Sequence, residues 1–173
     1  LGKFLFNLFC VVILPFLFPL SPTELRCSGP DWFEFGDFCY KPFGDKKTWH
    51  DAQSSCRALG AELVSILSMT EQSWLEAFYI LNDIWIGLND LFYAGLFSWS
   101  DQHITTFTYW APGEPNNHDG FSEDCVEINA NGTYSLWNDL NCDAHQDWIC
   151  TCRFSTEGSS HEFASLKDRA IFI

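Results

Sequence analysis

Seven cysteines between residues 27 and 152 constrain the fold of this chain more than any other feature. The sequence of 173 residues contains eight cysteines, at positions 10, 27, 39, 56, 125, 142, 150 and 152. In an exported protein such a set indicates a disulfide framework, because oxidised cysteines persist outside the cytosol. Three disulfides would leave one of the seven thiols over, and the spacing alone does not choose among the pairings.

The N-terminal segment predicts export. Residues 1–20 are almost wholly apolar and are interrupted by Pro15 and Pro19. A membrane-spanning helix needs about 20 apolar residues without such breaks. Residues 1–22 are therefore interpreted as a signal peptide, with a signal anchor as the alternative. The sequon at Asn131 is consistent with export, and Asn131 is a candidate for glycosylation. We expect a protein that is secreted or lies on the extracellular face of the plasma membrane.

The first half of the remaining chain predicts a hairpin and a helix. The aromatic-rich stretch 31–43 indicates two strands that turn at Gly36-Asp37. Thr48 is the predicted N-cap of a first helix, and Gly60 is its predicted end. The apolar positions at helical spacing, which define the inner face of this helix, are Trp49, Ala52, Cys56 and Leu59.

A second helix and short strands are predicted to follow. Ser68 and Glu71 form a capping-box pattern, and the inner face of this helix is formed by Trp74, Leu75, Phe78 and Leu81. Residues 84–88 predict a buried strand in which Gly87 allows a close backbone approach. Residues 136–137 and 147–150 predict closing strands. Between residues 89 and 134 the periodicity fades, which is typical of a long functional loop.

The acidic charge is concentrated in one part of the chain. Of the net charge of −14, all arises between Ala58 and Cys152, where there are fourteen Asp and Glu residues and no Lys or Arg. Phosphate binding needs Lys and Arg, so this composition excludes nucleic acid as a partner. Two interpretations of the acidic surface remain, a solvated face that maintains solubility and a cation-binding site.

Acids and amides cluster within that acidic region. Glu114-Pro115-Asn116 is followed by Glu123 and by Asn138-Asp139, with no Lys or Arg between them. These side chains offer only hard oxygen ligands, and calcium binds six to eight of them. The pattern therefore favours a calcium site that leaves coordination positions for an oxygen-rich ligand.

Four ordered motifs, together with the cysteines, resemble the C-type lectin-like domain in its long form. They are Trp85-Ile86-Gly87-Leu88, Glu114-Pro115-Asn116, Trp137-Asn138-Asp139 and Trp148-Ile149-Cys150. The resemblance covers residues 27–152, and the part from 39 to 66 is most similar to modules of the macrophage mannose receptor family. It implies an α+β fold with two helices, two small antiparallel sheets and a long calcium-dependent loop region, braced by disulfides. The domain is expected over residues 27–153, with a tail or linker over 154–173.

The resemblance also implies a disulfide pattern and a backbone feature. The implied pairs are Cys27–Cys39, Cys56–Cys150 and Cys125–Cys142, which leave Cys152 over. The Glu114–Pro115 bond is implied to be cis, and proline is the residue at which a cis bond is accessible.

By the same resemblance, five residues form a principal calcium and carbohydrate site: Glu114, Asn116, Glu123, Asn138 and Asp139. The order of acid then amide in Glu114-Pro115-Asn116 is similar to that of mannose-type members, and the galactose-type order is reversed. The implied partners are mannose, fucose or N-acetylglucosamine, recognised through equatorial 3- and 4-hydroxyls on glycoproteins or microbial surfaces. An auxiliary calcium site would use Asp90, Asn117, Glu123 and Asp124. It is expected to be weak or absent, because Ala94 stands where the family often has Glu.

The sequence bears on two other classes of function. An enzyme is not expected, because the five histidines fall in no zinc-protease spacing and no nucleophile motif is present. A protein-binding module of the same fold without sugar binding is the alternative, and Phe92, Tyr93 and Phe121 could serve it if exposed; we expect most of them to be buried. A single shallow sugar site binds weakly, so a multimer or a multi-domain receptor is expected, in an endocytic or innate immune role.

Overall fold

The computed structural model describes residues 27, 29–79, 82–118, 122–130 and 135–154. The expected signal segment over residues 1–22, Phe121, the sequon at Asn131 and nearly all of the expected tail lie outside the described residues. Leu81 and the side chain of Phe78, both expected on the inner face of the second helix, also lie outside them.

Two helices and eight strands make up the fold of the described residues. The helices are α1 (Trp49–Ala58) and α2 (Met69–Tyr79). The strands are β1 (Phe33–Phe35), β2 (Phe38–Lys47), β3 (Glu62–Leu63), β4 (Ile84–Asn89), β5 (Ser98–Trp99), β6 (Cys125–Ala130), β7 (Ser135–Leu140) and β8 (Gln146–Arg153).

The strands form two antiparallel groups that are joined into one sheet. Strands β1, β2 and β8 pair in antiparallel fashion, with β3 also on β8, and strands β4, β6 and β7 form the second group, with β5 on β4. A short parallel pairing of Ile84 with Asp147 and Trp85 with Trp148 connects the groups. The two expected small sheets are therefore present, and the β4–β8 contact makes them continuous. The hairpin β1–β2 and the hairpin β6–β7 lie at opposite edges of this sheet.

Helix α1 begins and ends where the sequence predicts. The Thr48 side chain accepts a hydrogen bond from the Asp51 N–H at 3.2 Å, which satisfies one of the free donors at the helix start. Gly60 follows the last turn with φ of 71°, a conformation that favours glycine. The prediction for Leu59 was wrong. It caps the C-terminus with its side chain 51% exposed, because the inner face ends one turn earlier at Cys56.

The start of α2 keeps only half of the predicted capping box. The Glu71 N–H donates to the Ser68 hydroxyl at 3.2 Å. The Glu71 carboxylate does not return to the Ser68 backbone. It accepts from the Leu67 N–H at 2.8 Å and from the buried Tyr40 hydroxyl at 2.6 Å. Burial raises the pKa of Glu71 above its ordinary value, even though the bond from Tyr40 stabilises the charged form. The capping residue thus connects α2 to β2.

Strand β4 lies at the centre of the molecule. All six of its residues are buried, and a Cβ at Gly87 would lie 2.8 Å from the Leu63 carbonyl oxygen. The indole N–H of Trp49 donates to the Ile86 carbonyl at 2.8 Å, so α1 is held against this strand by a buried polar contact as well as by packing. The prediction of a buried strand with a close approach at Gly87 is confirmed.

The three disulfides are those that the resemblance implied. They join Cys27 to Cys39, Cys56 to Cys150 and Cys125 to Cys142, with S–S distances of 2.03, 2.07 and 2.04 Å. The second connects α1 to β8, and the third connects the start of β6 to the segment after β7. Cys152 is a free, half-buried cysteine on β8. Among the described residues, no helix has the length and apolar character needed to cross a bilayer.

Candidate metal-binding site

Backbone hydrogen bonds place the Glu114-Pro115-Asn116 loop beside strand β7. The Trp137 N–H donates to the Tyr109 carbonyl, and the Ala111 N–H donates to the Trp137 carbonyl, both at 2.8 Å. Trp137 itself is fully buried and meets the edges of neighbouring aromatic rings, those of Trp99, Phe107 and Trp110. The Glu114–Pro115 peptide bond is cis. The loop therefore lies against the strand segment that carries Asn138 and Asp139.

The Asp139 carboxylate organises this loop. One oxygen accepts from the Asn116 N–H at 3.0 Å, and the other accepts from the Asn117 N–H at 2.9 Å. Asp139 is 2% exposed, so these hydrogen bonds satisfy a buried carboxyl group. Asn117 has φ of 48°, a left-handed conformation that asparagine tolerates better than most residues. Asp139 thus fixes the backbone on which the Asn116 side chain stands.

The Glu114 carboxyl lies beside the Asp139 carboxyl. One Glu114 oxygen accepts from the Asn116 side-chain amide at 2.8 Å. The other is buried and accepts no hydrogen bond from the described residues. Burial raises the pKa of the Glu114 carboxyl, and the adjacent Asp139 carboxyl, within hydrogen-bonding reach, raises it further. Two carboxylates this close repel each other unless a proton or a cation lies between them.

Glu123 is positioned from the other side of the same loop. Its carboxylate accepts from the His118 N–H at 2.6 Å, and its own N–H donates to the Asn117 side-chain oxygen at 2.9 Å. Its charge also acts on Glu114. Glu123 is therefore part of the same electrostatic environment as Glu114 and Asp139, although its carboxylate is bonded to the backbone and not to the other two acids.

Asn138 is held by a residue that the sequence analysis missed. Its side-chain amide donates to Glu127 at 3.1 Å. The second Glu127 oxygen accepts from the Gln146 side-chain amide. Glu127 is 3% exposed, and burial raises its pKa to about 7. The signal was present in the sequence, since Glu127 is an acid between the apolar residues Val126 and Ile128, but it was counted only as part of the acidic charge.

The residues of the expected auxiliary site are used in other contacts. One Asp90 oxygen accepts from the Gly95 N–H at 2.6 Å, and the other is buried with no partner among the described residues. The Asp124 carboxylate accepts from the Ser122 hydroxyl, and the Asn117 side chain is bonded to Glu123. Two contacts join members of this set in pairs: the Glu123 N–H donates to the Asn117 side-chain oxygen, and the Asp90 N–H donates to the Asp124 carbonyl at 3.0 Å.

The donor chemistry of the principal cluster fits calcium. Glu114, Asn116 and Asp139 lie together and offer only oxygen and amide groups, and one buried Glu114 oxygen lacks a partner. Within the described residues, however, no three His, Cys, Asp or Glu side chains converge closely enough to hold a metal ion. The sequence-based prediction is that Glu114, Asn116, Glu123, Asn138 and Asp139 hold the ion.

Residues 91–96, which follow Asp90, form an exposed apolar loop. The side chains of Phe92 and Tyr93 are 85% and 72% exposed, so the expectation that most of the candidate aromatics are buried was wrong for both. These two side chains lie in a segment of consecutive backbone turns, from Asp90 to Tyr93 and from Tyr93 to Leu96, where no helical or strand pattern applies.

The sequence matches the model of the lectin C-type domain over residues 45–152. A C-type lectin mannose-binding isoform of Oxyuranus scutellatus is 38% identical over 161 residues, which cover 89% of this chain and 100% of that protein. C-type mannose receptor 2 of Rattus norvegicus is 36% identical over 139 residues, which cover 76% of this chain and 9% of the receptor. The chain is thus similar both to one part of a large receptor and to small lectins that it matches over their whole length.

Solved structures with the same fold include both a carbohydrate-recognition domain and an antifreeze protein. The carbohydrate-recognition domain of cow CD23, crystallised in the presence of a GlcNAc2Man3 oligosaccharide, has a TM-score of 0.68 and 34% identity, over 73% of this chain and 96% of that one. A calcium-independent type II antifreeze protein also has a TM-score of 0.68, with 28% identity over 74% of this chain and 95% of that one. The match over residues 45–152, the fold and the three disulfides all point to the same family. The chain belongs to the C-type lectin domain family.

Proposed function

We propose that this domain binds glycans of the mannose, fucose or N-acetylglucosamine type in a calcium-dependent manner. The observation that carries the proposal is the Glu114–Asn116–Asp139 cluster, in which a buried Glu114 oxygen has no partner among the described residues. The match to the lectin C-type domain family supports a binding function. Bound calcium would supply a positive centre that coordinates two neighbouring sugar hydroxyls.

The residues of the chain would read the sugar through their hydrogen-bonding groups. A sugar hydroxyl both donates and accepts, so it can pair with one carboxylate and one amide at the same time. Glu114 and Asn116 are bonded to each other at 2.8 Å, which places an acceptor and a donor next to one another. Glu123 and Asn138 would form the second such pair. Asp139 would hold the loop through the Asn116 and Asn117 backbone.

The order of acid and amide is the testable basis of the sugar preference. Exchanging both groups, in the double variant Glu114→Gln with Asn116→Asp, keeps the size of the side chains and reverses the positions of donor and acceptor. We expect the double variant to gain galactose binding and lose mannose binding, measured by competition with free monosaccharides. Mannose preference that survives the exchange contradicts the assignment. The double variant Asp51→Asn with Gln53→Glu on helix α1 serves as the charge-matched control, because it also exchanges an acid and an amide two residues apart without changing the net charge.

A second candidate function rests on the exposed apolar loop. Phe92, Tyr93 and Leu96 are 85%, 72% and 65% exposed, and such side chains are enriched where proteins bind other proteins. A protein-binding module without sugar binding would keep its ligand after chelation of calcium. Replacing Phe92 and Tyr93 by Ser separates the two functions, because it should abolish protein binding and leave calcium-dependent sugar binding intact.

The setting of the domain follows from the same proposal. Secretion or display on the outer face of the plasma membrane agrees with three disulfides and with a carbohydrate ligand. One shallow site binds a single sugar weakly, so useful avidity for glycoproteins or microbial surfaces would come from several copies in a multimer or a multi-domain receptor. Endocytic or innate immune recognition would suit such a module.

The auxiliary calcium site is proposed to be weak, since Asp90 is bonded to Gly95 and Ala94 offers no side-chain oxygen.

A further inference from the structure

Glu127 is a buried acid whose carboxylate is hydrogen-bonded to Asn138, a predicted calcium ligand. It lies on β6 directly opposite Asn138 on β7 in the antiparallel register. Side chains of directly opposed residues project from the same face of a sheet, where they can interact. The Glu127 carboxylate accepts from the Asn138 amide with one oxygen and from the Gln146 amide with the other.

This contact determines which end of the Asn138 side chain faces away from Glu127. An asparagine amide has a donor end and an acceptor end, and a carboxylate can pair only with the donor end. With the Asn138 nitrogen directed at Glu127, the Asn138 oxygen points away from it and remains available as a ligand. The second hydrogen on that nitrogen remains available to donate to a sugar hydroxyl.

The burial of Glu127 calls for a role in the protein. A carboxylate that is 3% exposed is costly, and its two hydrogen-bond donors are neutral amides. The nearby charges that act on it are those of Asp83 and Glu123, which are of the same sign. An apolar residue of similar size would fill the position on β6 without this cost. Stability alone therefore does not account for an acid at this position.

We propose that Glu127 is a positioning residue that orients Asn138 for calcium binding and hence for sugar binding. The inference rests on the proposed function, since it deepens the account of the same site. It assigns Glu127 no direct contact with the ion. Partners that orient metal ligands from behind typically contribute about 10- to 100-fold to metal affinity.

A double-mutant cycle on the full chain tests the proposal by calcium titration calorimetry. Glu127→Leu should weaken calcium binding by about 10- to 100-fold. In a protein that already carries Asn138→Ala, the same change should have almost no further effect, because Glu127 acts through Asn138. Equal effects of Glu127→Leu in both backgrounds would show that its charge or a direct contact matters, and would overturn the proposal. Glu71→Gln is the control, as a second buried glutamate outside the site whose calcium affinity should remain that of the wild type.

A conservative variant distinguishes orientation from charge. Glu127→Gln keeps one carbonyl acceptor for Asn138, and the half-exposed Gln146 can turn to match the new amide. This variant should retain most of the calcium affinity that Glu127→Leu loses. If Glu127→Gln is as weak as Glu127→Leu, the negative charge is the cause and the proposal fails.

A measurement without calcium completes the test. In the chelated wild type, the Asn138 side-chain amide should show slow hydrogen exchange and a distinct NMR shift, and both should be lost in Glu127→Leu. An amide that is unchanged by Glu127→Leu would contradict the proposed orientation. A wild-type protein that binds no calcium would refute the proposed function, and this inference with it; calcium binding that is unaffected by Glu127→Leu refutes the inference alone.

Discussion

The Cys125–Cys142 disulfide should contribute to calcium affinity beyond its contribution to stability. Cys125 directly follows Glu123 and Asp124, and Cys142 lies three residues after Asp139, so the bond holds both sides of the candidate site. The Cys27–Cys39 disulfide closes a loop of similar length, with a separation of 12 residues against 17, at the opposite edge of the sheet. The two bonds therefore form a matched pair, one at the site and one remote from it.

The chain-entropy relation gives almost equal stability losses for the two pairs. Opening a loop of either length costs about 3 kcal/mol at 25 °C. Both double alanine variants should lose about that amount in urea unfolding with chelator present. At a temperature where both remain folded, the variant without Cys125–Cys142 should bind calcium about tenfold more weakly. The variant without Cys27–Cys39 should bind within about twofold of the wild type, as expected for distant sites.

Two outcomes would refute this reasoning. Equal loss of calcium affinity in both variants would mean that affinity follows global stability and not the local clamp. Unchanged affinity after removal of Cys125–Cys142 would mean that the Asp139 hydrogen bonds to the Asn116 and Asn117 backbone are sufficient to maintain the site.

Three further perturbations have expected outcomes. Gly87→Ala should destabilise by about 1–3 kcal/mol in thermal unfolding, because its Cβ would lie 2.8 Å from the Leu63 carbonyl. Thr48→Ala should cost about 1 kcal/mol through loss of the α1 cap, and Thr48→Ser should restore it. Burial raises the pKa of Glu71 in the folded protein above its ordinary value of 4.5. The stabilising contribution of Glu71 is therefore complete below pH 4.5, and it is lost as the pH rises through the raised pKa of the folded state. The free energy of unfolding of the wild type should therefore fall relative to that of Glu71→Gln as the pH rises above 4.5. A difference that does not change with pH would contradict the assignment. The groups facing Glu71 are Tyr40, Asp101 and His103, and they are the same in both proteins.

Local chemistry made much of the fold predictable from sequence. Thr48 and Gly60 mark the ends of α1 because capping and left-handed backbone are properties of single residues. Gly87 identified the close approach at β4 for the same reason. The pairing of cysteines followed only from the resemblance, because spacing alone leaves many combinations open. The parallel contact of β4 with β8 was not predicted, since it depends on how two distant segments meet.

Side-chain partners in the loops were less predictable than the elements. Periodicity says nothing about a segment of turns, so the exposure of Phe92 and Tyr93 depends on hydrogen bonds that the sequence does not display. Glu71 fitted a capping box, yet its carboxylate binds Tyr40, a residue 31 positions away. Glu127 was overlooked because an acid in an acidic region carries little information until its burial and its contact with Asn138 are known.

The central claim is calcium-dependent recognition of mannose-type sugars, and a glycan array with and without chelator tests it most directly. With calcium, the wild type should bind glycans that end in mannose, fucose or N-acetylglucosamine and should bind poorly to those that end in galactose. Chelation should abolish the signal, and added calcium should restore it. Binding that is unchanged by chelation, or no glycan binding in the presence of calcium, would contradict the account.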